Sequence, residues 1–492
     1  MKEATWSTAA RYQPYSSWAP DYIMKLKAQV AASKWRTKTH VQPDTGLIND
    51  PCSLNFFNNK WHLYYQQFPF GPVHGLKSWA HAVSKDLFNW RRVPGDLLPD
   101  NEYDSHGAYT GSALVTHGTL RLMYTGNARD DQWHRHSTQL GAVLGADGRL
   151  FKDPKPLILT PPTGYTQEFR DPFLFNYEGQ TYVLIGGQRP DHTGAILLYA
   201  KQTDKSWRFV APLSIPDEFC GYMVECPNIT FINGKVVLVY CPQGLDQDFF
   251  EYENVYPNIA LMADNFDPAT GNLTHQRLQN IDKGFDFYAT RLANTNDDGT
   301  LAISWLGLPD TTYPTDDDGW AGVLSYVRQL TLRDDHVCLY PHPAIKSLRE
   351  TAVEDLPVIQ QHDDEWTVTN LEGAFELAFT LAAGQKTTIH LPDGDHDQLL
   401  IHLDSDSGQG MIQRENRNNG GSLRQFGFPA GKTVEIRLFI DVSVFELFID
   451  QGYRVVSGRF FGNEAPTAAR ITPPSAASDV VSWNLKKDNG GL

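Results

Sequence analysis

Gly46-Leu47-Ile48-Asn49-Asp50-Pro51 leads from a turn glycine into the apolar stretch Leu54-Asn55-Phe56-Phe57. It sets a carboxylate, with an amide beside it, at the entry of a strand. One Asp-Pro pair says little, because both residues are common in turns. The pattern returns, however. Arg170-Asp171-Pro172 precedes Phe173-Leu174-Phe175, and Glu225-Cys226-Pro227 precedes Ile229-Thr230-Phe231. Three carboxylates thus stand just before a proline that opens a hydrophobic strand, and we expect the three strands to converge on one pocket.

Outward from these stretches, the chain from about residue 40 reads as strand and turn. Five hairpins share one layout, with two-residue turns at Asn58-Asn59, His117-Gly118, Glu178-Gly179, Asn233-Gly234 and Asp298-Gly299, about 55–65 residues apart. Asn, Asp and Gly suit such turns because both central residues need positive φ. Five similar β units at near-even spacing predict radial repetition, a five-bladed β-propeller. One large irregular β-sandwich stays open as the alternative on this pattern alone. The carboxylates fall on the first, third and fourth units.

Tyr340-Pro341-His342-Pro343 reads as a linker. Beyond it, Phe375–Phe379, Val434–Ile440 and Val444–Ile449 alternate with period two, which predicts a β-sandwich, with a polar loop from Gly408 to Gly421. Before the repeats, Pro20 and Asp21 start a helical stretch. It is read as an appendage docked on the main body, with an oligomerisation arm as the alternative. The chain is therefore all-β: an N-terminal extension, partly helical, over 1–35, a propeller catalytic domain over 36–342 and a β-sandwich over 343–492.

With 492 residues, more than one domain is expected. The formal charge of −16 argues against a nucleic-acid surface or a polybasic membrane patch. There is no secretory n-region and h-region, and no run of about 18 apolar residues to span a bilayer. The five cysteines are odd in number and lack metal-type spacing. Together these predict a cytoplasmic protein with reduced thiols. Cys52 and Cys226 adjoin the carboxylate motifs, so thiol reagents are expected to slow the enzyme if either is accessible.

Three acids without metal-ligand spacing, a phosphate-binding Gly loop or a Gly-x-Ser-x-Gly motif point to acid–base or nucleophilic chemistry with no metal and no cofactor. Glycoside hydrolysis needs one carboxylate and one carboxylic acid flanking the bond. Asn49 would help keep Asp50 ionised. Glu225, between Val224 and Cys226, has the less polar surroundings expected of the acid. Arg170 would hold Asp171 ionised for a substrate-holding role. Taken singly, each acid also reads as a turn residue or an ion-pair partner.

The set resembles glycoside hydrolase family 32, the invertases, β-fructofuranosidases and sucrose-6-phosphate hydrolases. The resemblance rests on Asn49-Asp50-Pro51, Arg170-Asp171-Pro172 and Glu225-Cys226. Supporting stretches are Tyr65-Gln66, Trp79-Ala80-His81-Ala82, Tyr109-Thr110-Gly111-Ser112-Ala113, Gly284-Phe285-Asp286-Phe287-Tyr288-Ala289, Ser304-Trp305 and Asp441-x-Ser443-x-x-Glu446-x-Phe448. It covers about residues 36 to 485 and implies a propeller followed by a sandwich. It further implies a retaining enzyme with Asp50 as nucleophile, Glu225 as acid/base and Asp171 stabilising the transition state. Asn49, Gln66, Tyr109, Thr110, Arg170 and Trp305 would line the fructose subsite.

The implied substrate is sucrose 6-phosphate or sucrose, with a fructan hydrolase or fructosyltransferase as alternative and a catalytically inactive sugar-binding propeller as the rival of another class. Arg129 and Arg135 are the candidate phosphate contacts. The chain departs from the family's usual residues at Cys52-Ser53, at Gln66-Gln67-Phe68-Pro69 and at His74-Gly75. We expect those changes to alter the rim that meets the leaving group.

Overall fold

The computed structural model describes residues 6–295, 298–415 and 421–487. Nearly all of its regular structure is β. Through residue 341, five antiparallel sheets follow one another, each opening on a long strand: Gly46–Phe57, Ala108–Thr116, Phe169–Tyr177, Met223–Ile232 and Tyr288–Asn294. Each opening strand lies against that of the next sheet, and the fifth lies against the first. The late strand Trp320–Ala321 pairs in parallel with Gly46 and Leu47, which ties the end of this series back to its beginning.

Four hairpin turns have the expected geometry. Asn58 and Asn59, His117 and Gly118, Glu178 and Gly179, and Asn233 and Gly234 all have positive φ. The fifth differs from expectation. The ladder closes at Asn294 with Thr300, and the Thr295 amide bonds the Gly299 carbonyl, so the connection is wider than two residues. Residues 296–297 of it lie outside the described residues.

The prolines do not open their strands, as the sequence reading had it. Each lies inside one, at a β-bulge. The ladder shifts register between Ile48 and Ser53 around Pro51, between Arg170 and Phe173 around Pro172, and between Glu225 and Asn228 around Pro227. A bulge leaves an amide unpaired, so a residue lacking N–H costs nothing there, and it re-aims the neighbouring side chain. Asp171 and Cys226 have φ of +67° and +48° at these points. The other two opening strands carry the same bulge, between Ala108 and Gly111 and between Tyr288 and Arg291.

Beyond residue 343, a seven-stranded and a five-stranded sheet enclose a separate apolar core that includes Phe375, Leu377, Leu399, Ile401, Ile436 and Leu438. Gln409–Arg414 is a strand of the larger sheet, where the sequence reading had a loop; Met411 and Gln413 pair with His402 and Leu400. The rest of that predicted loop, 416–420, lies outside the described residues.

This second body is joined to the first by buried charge. Arg328, 1% exposed, donates to both Glu446 Oε2, at 2.7 and 3.1 Å, and Asp282 Oδ2, at 3.1 Å. His40 bridges Asp441 Oδ2 (2.8 Å) and Glu446 Oε1 (3.0 Å). Burial opposes a charge on His40, but the bonds to the two carboxylates outweigh it and its pKa is raised. Replacing Glu446 with alanine leaves Arg328 only Asp282 and His40 only Asp441 as buried carboxylate partners, so we expect a loss of ~1.5–3 kcal/mol in chemical denaturation. A change below about 1 kcal/mol would show that the bridge adds little.

The helix Pro20–Ala31 begins where Pro20 and Asp21 predicted and buries Leu26 and Val30. The extension grips the loop that leads to Lys77. Trp18 stacks on Phe70, the Arg11 carbonyl accepts from the Leu76 amide (2.8 Å), and the Tyr15 hydroxyl donates to the Leu76 carbonyl (3.0 Å).

Candidate active site

The five bulges deliver Asn49 and Asp50, Tyr109 and Thr110, Arg170 and Asp171, Glu225, and Tyr288 to one pocket of about 170 Å³. Gln66, His74, Gly75, Lys77, Arg135, Gln243, Trp305 and Pro309 complete its lining. All three acids and all six expected sugar-contacting residues are therefore brought together.

Asp50 Oδ2 accepts from the Thr110 hydroxyl at 2.7 Å and lies 3.9 Å from the Cys226 thiol. Among the described residues, Oδ1 takes no hydrogen bond. Thr110 is held by Gln66 Nε2, and Gln66 Oε1 accepts from Asn49 Nδ2 at 3.3 Å. Asp171 is buried; its Oδ2 accepts from the Cys226 amide at 2.9 Å. Trp305 is buried with its indole N–H unpartnered among the described residues.

Arg170 departs from expectation. Its guanidinium turns away from the neighbouring Asp171 to Glu225 Oε1 (2.9 and 3.0 Å) and to Glu168. Gln243 Nε2 and the Tyr288 hydroxyl each donate to Glu225 Oε2 at 2.9 Å. Glu225 thus has polar surroundings, not the apolar ones its sequence neighbours suggested. The acid whose pKa is raised is Asp171. Burial is the main cause, the charges of Glu225 and Asp50 add to it, Arg170 opposes it, and the carboxyl is pushed up to about 7. Because that proton is held through interaction with neighbouring acids, its loss is a property of the cluster.

Of the two arginines expected at the rim, only Arg135 lines the pocket, paired with Glu168 at 2.6 Å. Arg129 donates to the Trp133 carbonyl and its guanidinium packs on the Trp133 ring, outside the lining. Of the departures from the family's usual residues, Cys52 and Ser53 are buried in the strand, and Gln67 is spent on Ser78 and Asp96. Only His74 and Gly75 reach the pocket, His74 with its ring edge-on to Trp305. Cys52 and Cys226 are fully buried with their thiols pushed up by desolvation, so neither is open to reagents.

Tyr288 and Gln243 were not anticipated as site residues, and Lys77 was expected only as a cation of the rim, not deep in the lining. Tyr288 had a signal, since it occupies in the fifth unit the bulge-edge position that Glu225 holds in the fourth and Arg170 in the third. Gln243 ends a second strand, as Gln188 does in the third unit, but only Gln243 reaches the pocket; Lys77 comes from the segment after a loop.

A model described as Glycosyl hydrolases family 32 N-terminal domain matches residues 40–343, and one described as Glycosyl hydrolases family 32 C terminal matches residues 344–486. A sucrose-6-phosphate hydrolase from Pediococcus pentosaceus is 44% identical over 489 residues, spanning 98% of this chain and 97% of its own. The solved sucrose-6-phosphate hydrolase from Lactobacillus gasseri superposes with a TM-score of 0.91 at 35% identity, covering 98% of this chain and 99% of its own. A Bombyx mori family 32 β-fructofuranosidase, solved in complex with sucrose, superposes at 0.81 with 28% identity over 95% of this chain and 97% of its own.

Proposed function

This chain belongs to glycosyl hydrolase family 32 and is a glycoside hydrolase of the β-fructofuranosidase type, and on that premise we propose that its pocket releases fructose from sucrose 6-phosphate, or from sucrose, by double displacement. We read the five sheets of residues 36–342 as the blades of a propeller and residues 343–492 as a β-sandwich, with 1–35 as the extension that braces the pocket loop. The observation that carries the reading is the convergence of three carboxylates, each from the bulge of a separate sheet, on one pocket.

In the first step Asp50 Oδ1 attacks the fructosyl anomeric carbon. The bond from that carbon to the leaving oxygen breaks, its electron pair stays with that oxygen, and Glu225 supplies the proton. In the second step water attacks the same carbon, gives its proton to Glu225 and frees Asp50. Arg170, Gln243 and Tyr288 hold the Glu225 carboxyl in place through both steps. Asp171 lies between the two acting acids and would take ring hydroxyls. Asn49, Gln66, Tyr109 and Trp305 would complete the sugar contacts.

The named relatives favour the phosphorylated substrate, and a phosphorylated disaccharide is retained inside cells, which supports a cytoplasmic location. No described helix is long and apolar enough to cross a membrane. Comparison of kcat/KM on sucrose, sucrose 6-phosphate and a β-2,1 fructan tests the reading; preference for the fructan would overturn it. Arg135 is the rim cation that would meet the phosphate. Arg135→Ala should raise KM for sucrose 6-phosphate by roughly tenfold to hundredfold, the scale of one lost charged contact, and leave sucrose much less affected. Parallel changes on both substrates would mean that Arg135 serves Glu168 and the acid cluster, not the phosphate.

A further inference from the structure

Four hydrogen bonds connect Lys77 to Asp50, and all run in one direction. Lys77 Nζ donates to Asn49 Oδ1, and Asn49 Nδ2 donates to Gln66 Oε1 at 3.3 Å. Gln66 Nε2 donates to Thr110 Oγ1, and the Thr110 hydroxyl donates to Asp50 Oδ2 at 2.7 Å. Lys77, Asn49, Gln66 and Thr110 are at most 4% exposed. The direction follows from chemistry at both ends. An ammonium has donors only, so Asn49 must turn its oxygen to it. Its amide N–H then meets Gln66, and Gln66 in turn meets Thr110 with N–H. The threonine hydroxyl, already accepting, has one proton left, and a carboxylate can only accept it.

We propose that Lys77 is a positioning residue that, through Asn49, Gln66 and Thr110, aims a hydrogen bond at Asp50 Oδ2, keeps that carboxylate anionic and leaves Oδ1 as the attacking oxygen. This rests on the reading of Asp50 as nucleophile. Bonds that donate in series polarise one another, so a cation at the head strengthens the last link. The other charged and titratable groups around this path include the Cys52, Cys226 and Cys241 thiols, Asp171 and Arg291 near Asp50, Glu225 beyond Asp171, and His74, with Arg11 behind it, near Lys77. Burial pulls Lys77 down to about 7, opposed by Asp50 and Cys52. Asp50, at the far end of the relay, is the largest influence that opposes that loss of charge.

The test is the pH profile of kcat/KM for the full chain and for Lys77→Met, Lys77→Arg and Thr110→Val, with Tm measured for each. Lys77→Met removes the head of the relay. It should lower kcat by roughly tenfold to hundredfold with little change in KM, and move the acidic limb up by about one pH unit. Lys77→Arg, again a donor only, should restore the limb. Thr110→Val should reproduce the Lys77→Met limb, and adding Lys77→Met to it should shift the limb no further. An unmoved limb in a folded Lys77→Met protein, or a loss confined to KM, overturns the proposal, the latter because Lys77 would then be a substrate contact. Acid-quenched wild-type enzyme analysed by mass spectrometry separates this from the reading beneath it. A fructosyl adduct on a residue other than Asp50 sinks both, whereas an adduct on Asp50 with an unmoved limb sinks only the relay.

Discussion

Asp50→Ala abolishes fructose release while leaving the protein folded. In double displacement the nucleophile makes the only covalent bond between enzyme and sugar, and no other pocket group is placed to replace it. The loss in kcat should be roughly 10⁴-fold or more, the scale seen when a hydrolase loses its nucleophile. Stability should hardly change. The packing of this strand comes from Leu47, Ile48 and Leu54, all buried, whereas Asp50 is partly exposed and takes one strong hydrogen bond. Removing its charge also relieves Asp171, whose raised pKa it helps to cause. The measurement is turnover on sucrose together with Tm. A small anion such as azide should restore turnover in the alanine variant by filling the vacated space and attacking the anomeric carbon from the same side. The product would be fructosyl azide of inverted configuration, because one displacement then replaces two. Retention of more than about 1% of wild-type activity without azide would remove Asp50 from the nucleophile's role.

Much of this site was legible in the sequence because one local device recurs. Asp50-Pro51, Asp171-Pro172 and Cys226-Pro227 each mark a bulge, and a bulge in a sheet's opening strand re-aims a side chain, here toward the shared pocket. What could not be read is where long side chains turn. Arg170 adjoins Asp171 in the chain and lines the same pocket, yet from the bulge its guanidinium reaches Glu225, 55 residues on. Cys52, two residues beyond Asp50, would share its face in a regular strand, but the bulge between Ile48 and Ser53 breaks the alternation and Cys52 is buried.

The second body shows a related limit. Glu446 and Asp441 alternate with apolar residues and read as the solvent face of a strand. Every residue of Val444–Ile449 is buried, because that face meets Arg328 and His40 of the first body. Their cations come from 118 and 401 residues away. Charge pairs at such separations leave no periodic trace.

Glu225→Gln should separate proton donation from everything else that Glu225 does. With sucrose the leaving oxygen needs a proton as its bond breaks, and loss of the general acid should cost ~10²–10⁴ in kcat. With fructosyl fluoride the leaving group departs as an anion, so the loss should be at least tenfold smaller. The substitution keeps the shape of the side chain but puts an N–H where only acceptors fitted. Glu225 now accepts from Arg170 on one oxygen and from Gln243 and Tyr288 on the other. The amide must therefore face donors on one side, which adds a loss common to both substrates. The pH profile carries the second half of the argument. In the wild type, Asp171 keeps its proton up to about pH 7, so kcat/KM should fall as pH rises through that value and the cluster gives up its proton. The Glu225 charge is one cause of that elevation, and in the variant it is gone, while Arg170, freed of its partner, still draws the Asp171 proton off. The basic limb should therefore move below 7 for the activity that remains on fructosyl fluoride. Equal losses on both substrates, with a limb left at about 7, would mean that Glu225 only anchors Arg170 and that Asp171 is the acid.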